Sequence, residues 1–139
     1  GTESITDERT KKLNLNKYVS FLGRKTKQEI SKILEHENAL VISSDIESFA
    51  IPGIEALASG IPVISTKCLG PEEYIDEKCG VLCKVNDVED LAKAIKKVIE
   101  NYDNYDPLYL NSVADKFSSK QVIKNTEKIY KKVIKDYNS

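Results

Sequence analysis

The chain has no methionine, a single histidine, only three cysteines and almost no net charge, a formal −1 at pH 7. Each scarcity excludes something. With lysines and arginines balanced by carboxylates there is no overall basic field for nucleic acid or an anionic membrane, so no nucleic-acid partner is expected. No apolar run approaches the roughly 20 residues that cross a bilayer, and no signal-peptide pattern opens the sequence, which predicts no transmembrane segment and a cytoplasmic location. Cys68, Cys79 and Cys83 are an odd set in a chain too large to need covalent staples. The Cys79–Cys83 spacing would suit zinc, but no second pair exists and His36 stands alone, so the expectation is reduced thiols and no metal site. The missing methionine, first position included, predicts a fragment that is N-terminally incomplete.

What is present is the composition of a soluble domain with a real core: 139 residues, 40% hydrophobic and 31% charged. The most informative stretch runs from Ser43 to Glu73. An apolar run over Ala39–Ser43 predicts a fully buried strand, and a turn rich in Ser and Asp follows it. Pro52 and Gly60 then bracket a helix of about two turns, because proline suits a first turn and glycine accepts the left-handed conformation just past the last. Pro62–Thr66 supplies a second strand. The backbone N–H groups around Phe49 to Gly53 are predicted to lack helical acceptors and, with the helix dipole, to suit a phosphate. Glu47 lies in the loop before that site and Glu55 is expected in the first turn, so two carboxylates flank it and would accept hydrogen bonds from sugar hydroxyls. A phosphate between two sugars describes a nucleotide diphosphate sugar. Taken as two isolated residues, Glu55 would only complement the helix dipole and Glu47 would be a solvated loop side chain.

Along the rest of the chain, Asp7–Leu15 is predicted as a short helix and Tyr18–Leu22 as a strand by its β-branched and aromatic content, closed by Gly23. Thr26 is expected to cap a helix from Lys27 to about His36, with Glu29 as the capping-box acid. Pro71–Asp76 begins another short helix and Gly80–Cys83 is a strand. Asp87 caps a helix to about Asn101 whose Leu91, Ala94, Ile95, Val98 and Ile99 share a face. Pro107–Phe117 is helical, and Ser118 or Ser119 caps a last helix lined on one side by Val122, Thr126, Ile129, Tyr130, Val133 and Ile134. Alternating strands and helices define an α/β class, a Rossmann-like parallel sheet with helices on both faces. Ligands in such sheets bind outside the carboxyl ends of the strands, where the Ser44–Ile51 loop falls.

Glu47, seven residues, then Glu55, within ESFAIPGIEALASGIPVIST and followed by GPEEYI, resembles the donor-site signature of retaining glycosyltransferases of the GT-B fold, the large family that includes glycogen and sucrose synthases. The resemblance covers nearly the whole chain, as the C-terminal, donor-binding half of such an enzyme. It implies that Glu55 binds the ribose hydroxyls and that Glu47 meets the transferred sugar as the catalytic residue. Ser48, Phe49, Ala50 and Ile51 would complete the donor site through sugar and phosphate contacts. It puts the Phe21–Arg24 segment beside the nucleotide base, making Gly23 and Arg24 candidate base or phosphate contacts; a solvated surface arginine is the alternative at that position. It implies no cofactor beyond the nucleotide diphosphate sugar as donor substrate. The implied partner is an N-terminal acceptor domain of the same enzyme, which would supply any peripheral membrane contact at the inner membrane face. The family's last helix crosses back to that domain. The implied acceptor is a growing glycan, lipid-linked or cell-surface polysaccharide.

Two other classes compete. Asp45, Thr66 and Lys84 follow the order of acid, hydroxyl and lysine in the phosphoacceptor receiver domains of signalling proteins, although no early acidic pair is present to hold Mg²⁺ and Val85 follows the lysine. A catalytically silent Rossmann-like interaction module is the other.

Overall fold

A computed structural model describes residues 8–137. The chain divides into a compact unit that ends at Ile30 and another that begins at Ser31. In the first, residues 8–12 form helix α1, which stops where Asn14 turns left-handed at φ 55°, a conformation asparagine tolerates better than most residues. The predicted helix reaches further, to Leu15, and its Asp7 lies outside the described residues. Tyr18–Leu22 is not a strand: it is irregular and exposed, Tyr18 by 82%. Its residue types favour a pleated, half-buried surface, but a strand exists only by pairing, and no described backbone forms a ladder with it.

Helix α2, Lys27–Leu34, begins as its cap predicts. The Glu29 amide donates to Thr26 Oγ1 at 3.3 Å and the Thr26 amide to the Glu29 carboxylate at 2.8 Å. The hydrogen bond from the Thr26 amide, with a second from its hydroxyl, holds the Glu29 carboxyl below its ordinary pKa.

The second unit is built on three parallel strands, β1 (Leu40–Ile42), β2 (Val63–Thr66) and β3 (Gly80–Cys83), in the order β1-β2-β3. Helix α3 (Ile51–Ala58) joins β1 to β2, and a 3-10 turn over Gly70–Glu73 lies between β2 and β3. Helices α4 (Val88–Glu100), α5 (Pro107–Asp115) and α6 (Ser119–Tyr137) follow. Asp87 caps α4 by accepting from the Asp90 amide at 2.9 Å, and Asp106 caps α5 from the Leu108 amide at 3.0 Å.

The register decides which helix covers which face. Ile42 pairs with Ser65, and Val41 pairs with Ile64, so each pair shares a face. Ile64 and Cys83 form a buried cluster with Ala94 and Val98 of α4. On the opposite face Ile42 reaches α3 at Gly53, and α5 packs on α3. The sheet therefore carries helices on both faces, as the alternation predicts. β2 is central and wholly buried, whereas Val41 of β1 is 43% exposed, against the expectation of a fully buried strand. The reason is positional: β1 is an edge of this sheet, and α4 packs on β2 and β3 rather than over β1. Ile99, placed on the apolar face of α4 by periodicity, is also exposed, although it directly follows buried Val98.

Candidate functional site

The loop leaving β1 is fastened to the loop leaving β2 by main-chain bonds. The Glu47 amide donates to the Cys68 carbonyl at 2.9 Å, and the Gly70 amide donates to the Glu47 carbonyl at 2.9 Å, a parallel bridge between Glu47 and Leu69. Thr66 Oγ1 donates to the Ser44 carbonyl at 2.5 Å. The approach is close enough to require glycine: a Cβ on Gly70 would lie 2.5 Å from the Phe49 amide nitrogen and Cα. Glu47 is thus held by its backbone at the carboxyl end of the sheet, and its side chain is half-buried.

The chain enters α3 through Ala50, which takes the left-handed conformation at φ 53°, ψ 64° and supplies no side-chain cap. Ile51 is the first helical residue and Pro52 the second; Gly60, at φ 77°, ends the segment as expected. The amides of Phe49, Ala50 and Ile51 have no protein acceptor among the described residues. Two expectations need correction here. The Gly53 amide is not free, because it donates to the Ala50 carbonyl at 2.8 Å in a tight first turn. Glu55 is not in the first turn, because the helix starts at Ile51 and no acidic residue falls in that turn; its share in the dipole is correspondingly smaller. Glu55 is half-buried, and neither it nor Glu47 has a side-chain hydrogen bond or ion pair among the described residues.

Beneath the loop sits an aromatic cluster that motif reading passed over. The rings of Phe49 and Phe117 are 5.4 Å apart, and Tyr74 lies 6.0 Å from each, all edge to face. Tyr74 Oη donates to the Ala50 carbonyl at 3.1 Å. Burial, with Cys68 and the Glu47 carboxylate nearby adding to it, raises the Tyr74 phenol far above its ordinary pKa, so it remains a donor. The three thiols are free and buried, and burial pushes Cys79 up to about 11.

Of the site residues predicted from sequence, Glu47, Ser48, Phe49, Ala50, Ile51 and Glu55 fall on one loop and the helix it starts. Gly23 and Arg24 belong to the other unit, where both are exposed. Asp45, Thr66 and Lys84 line one hollow of about 230 Å³ with Asn86 and Asp87. Thr66 is only 4% exposed there and its hydroxyl is already engaged by Ser44, which does not favour the receiver reading.

This Rossmann-like parallel sheet, with the loop at its carboxyl edge, has the GT-B fold of the solved glycosyltransferases that it resembles. Sucrose-phosphate synthase from Thermosynechococcus elongatus has this fold, with a TM-score of 0.83 at 23% identity over 98% of this chain and 35% of that one. So does the pneumococcal O-GlcNAc transferase GtfA, solved with UDP and GlcNAc, at 0.78 and 24% over 96% and 28%. The chain belongs to the glycosyl transferases group 1 family, whose model matches residues 2–112. The N-acetyl-alpha-D-glucosaminyl L-malate synthase of Bacillus anthracis is 32% identical over 130 residues, 91% of this chain and 34% of that protein. The chain spans about a third of the length of the curated relatives it matches first.

Proposed function

We propose that this chain is the donor-binding part of a retaining glycosyltransferase that moves a sugar from a nucleotide diphosphate sugar to an acceptor such as a growing glycan or a lipid-linked or cell-surface polysaccharide. The observation that carries the proposal is the set of unengaged amides at Phe49, Ala50 and Ile51 ahead of α3, with two unpaired carboxylates, Glu47 and Glu55, on the same loop and helix of a family member. Those amides would receive the diphosphate, where preorganised donors stabilise charge that grows as the leaving group departs. Glu55 would accept from the ribose hydroxyls. Glu47 would stand against the transferred sugar and support an oxocarbenium-like transition state. Ser48 completes the loop. No metal or further cofactor enters this scheme. For Gly23 and Arg24 as contacts to base or phosphate, the support is the family resemblance alone.

The acceptor would be held by an N-terminal domain of a longer enzyme. Among the described residues no helix is long and apolar enough to cross a membrane; a cytoplasmic enzyme with peripheral contact to the inner membrane face through that other domain fits the scheme.

Titration calorimetry with UDP, GDP and ADP, then with UDP-GlcNAc, tests the site. Glu55→Ala should weaken binding of the bare nucleotide by about 1.5–3 kcal/mol, the size of a charge-assisted hydrogen bond. Glu47→Ala should spare the bare nucleotide and weaken the sugar conjugate. Equal losses for both ligands in both variants would contradict this division of roles.

A further inference from the structure

We infer that Tyr74 is a positioning residue of the donor site, holding Ala50 in the left-handed turn that leaves the Phe49–Ile51 amides free for a ligand; the inference rests on the donor-site reading above. Ala50 has a Cβ, and a residue with a Cβ does not take φ 53° by default. Something must hold it there, and no side chain caps the helix from its own N-terminus. The Ala50 carbonyl has two donors: the Gly53 amide at 2.8 Å, which tightens the first turn, and Tyr74 Oη at 3.1 Å, which fixes the plane of the peptide from the side. The phenol reaches that carbonyl only because position 53 is glycine, since a Cβ there would lie 2.1 Å from Tyr74 Oη. Tyr74 cannot drift from the contact easily. It is 5% exposed, braced by Phe49 and Phe117, and it follows directly on the Gly70–Glu73 turn whose first residue is bonded to Glu47. One side chain therefore links the Glu47 anchor to the amides ahead of α3.

Tyr74→Phe keeps the ring and its packing and removes only the hydroxyl. Binding of UDP, GDP and ADP to the 139-residue chain is measured by calorimetry in the original chain, in Tyr74→Phe and in Tyr74→Phe/Ala50→Gly. The sign of φ at residue 50 is read in parallel from NMR backbone couplings. Tyr74→Phe should weaken the nucleotide that binds best by about tenfold, the scale of one hydrogen bond, and should lose the uniform positive φ at Ala50. Glycine takes φ > 0 without a steric penalty, so the second substitution should bring affinity back to within about threefold of the original. A purely structural tyrosine would not be rescued in this way. Unchanged affinity and unchanged φ in Tyr74→Phe would overturn the inference, as would a loss that Ala50→Gly leaves uncorrected. If the original chain binds none of the three nucleotides while φ still shifts in Tyr74→Phe, the donor-site reading is what fails and the hold on Ala50 stands.

Discussion

Helices α4 and α6 read alike in sequence and fare differently in the fold. Both are amphipathic, with an apolar residue every three or four positions. α4 buries Ala94 and Val98 against Ile64 and Cys83 of the sheet. On α6, Val122, Ile129, Tyr130, Val133 and Ile134 are each at least half exposed. Periodicity states which face of a helix is apolar; whether a surface is there to meet it depends on where the preceding elements leave the chain. The same contrast separates Gly80–Cys83 from Tyr18–Leu22, two apolar runs of which only the first is paired in a ladder among the described residues.

The sharpest way to break the comparison is to place a charge on each helix. Val98→Asp buries a carboxylate with no partner and should cost several kcal/mol, enough to abolish a cooperative urea transition in a domain of ordinary stability. Ile129→Asp should change stability by no more than about 0.5 kcal/mol, as surface substitutions do. A comparable loss at both positions would mean that the α6 face is covered in solution. Gly70→Ala comes next. It drives a Cβ into the Phe49 backbone and should cost about 1–3 kcal/mol in urea melts, the range for overpacking. If the proposed donor site is right, it should also weaken UDP binding.

The smallest effect concerns Asp76 and Tyr109, which hydrogen-bond through carboxylate and phenol and so link the segment before β3 to α5. Burial opposes ionisation of Asp76, but hydrogen bonds from Tyr109 and from the Lys78 and Cys79 amides outweigh it and lower its pKa from 3.8. The same bond raises Tyr109 to about 12 from 10.0. A lowered carboxyl adds stability that is complete above its unfolded pKa and lost as pH falls through the folded one. A raised phenol adds stability that is complete below its unfolded pKa and lost as pH rises through the folded one. Tyr109→Phe should therefore lower the urea midpoint slightly between about pH 4 and pH 10, and the difference from the original chain should shrink at either end. A difference that grows in acid would assign the bond another role.

Much of the candidate site was legible in sequence because its determinants are local. Pro52 and Gly60 mark the helix by conformational preference alone, Thr26 with Glu29 and Asp87 mark helix starts by their side-chain chemistry, and the spacing of Glu47 and Glu55 is a matter of counting. The engagement of the Gly53 amide is not legible in this way, because its acceptor depends on the left-handed Ala50, a conformation that an alanine does not advertise. The roles of Tyr74 and Phe117 are hidden for a different reason: a tyrosine in GPEEYI and a phenylalanine after α5 carry no sign of meeting Phe49.

The sequence by itself determined the class of this protein and its helix boundaries to within a turn at most positions, and it marked the residues that the family resemblance proposes for a donor site. Those features follow from short-range propensity and from a motif contiguous in the chain. Only the tertiary structure decided, for the described residues, that Val41 lies on an edge of its sheet, that Tyr18–Leu22 forms no strand, that the α6 face is exposed, and that Tyr74 bonds the turn before α3. Each of these depends on which distant segment lies within bonding or packing distance, and the packing of the whole chain fixes that distance.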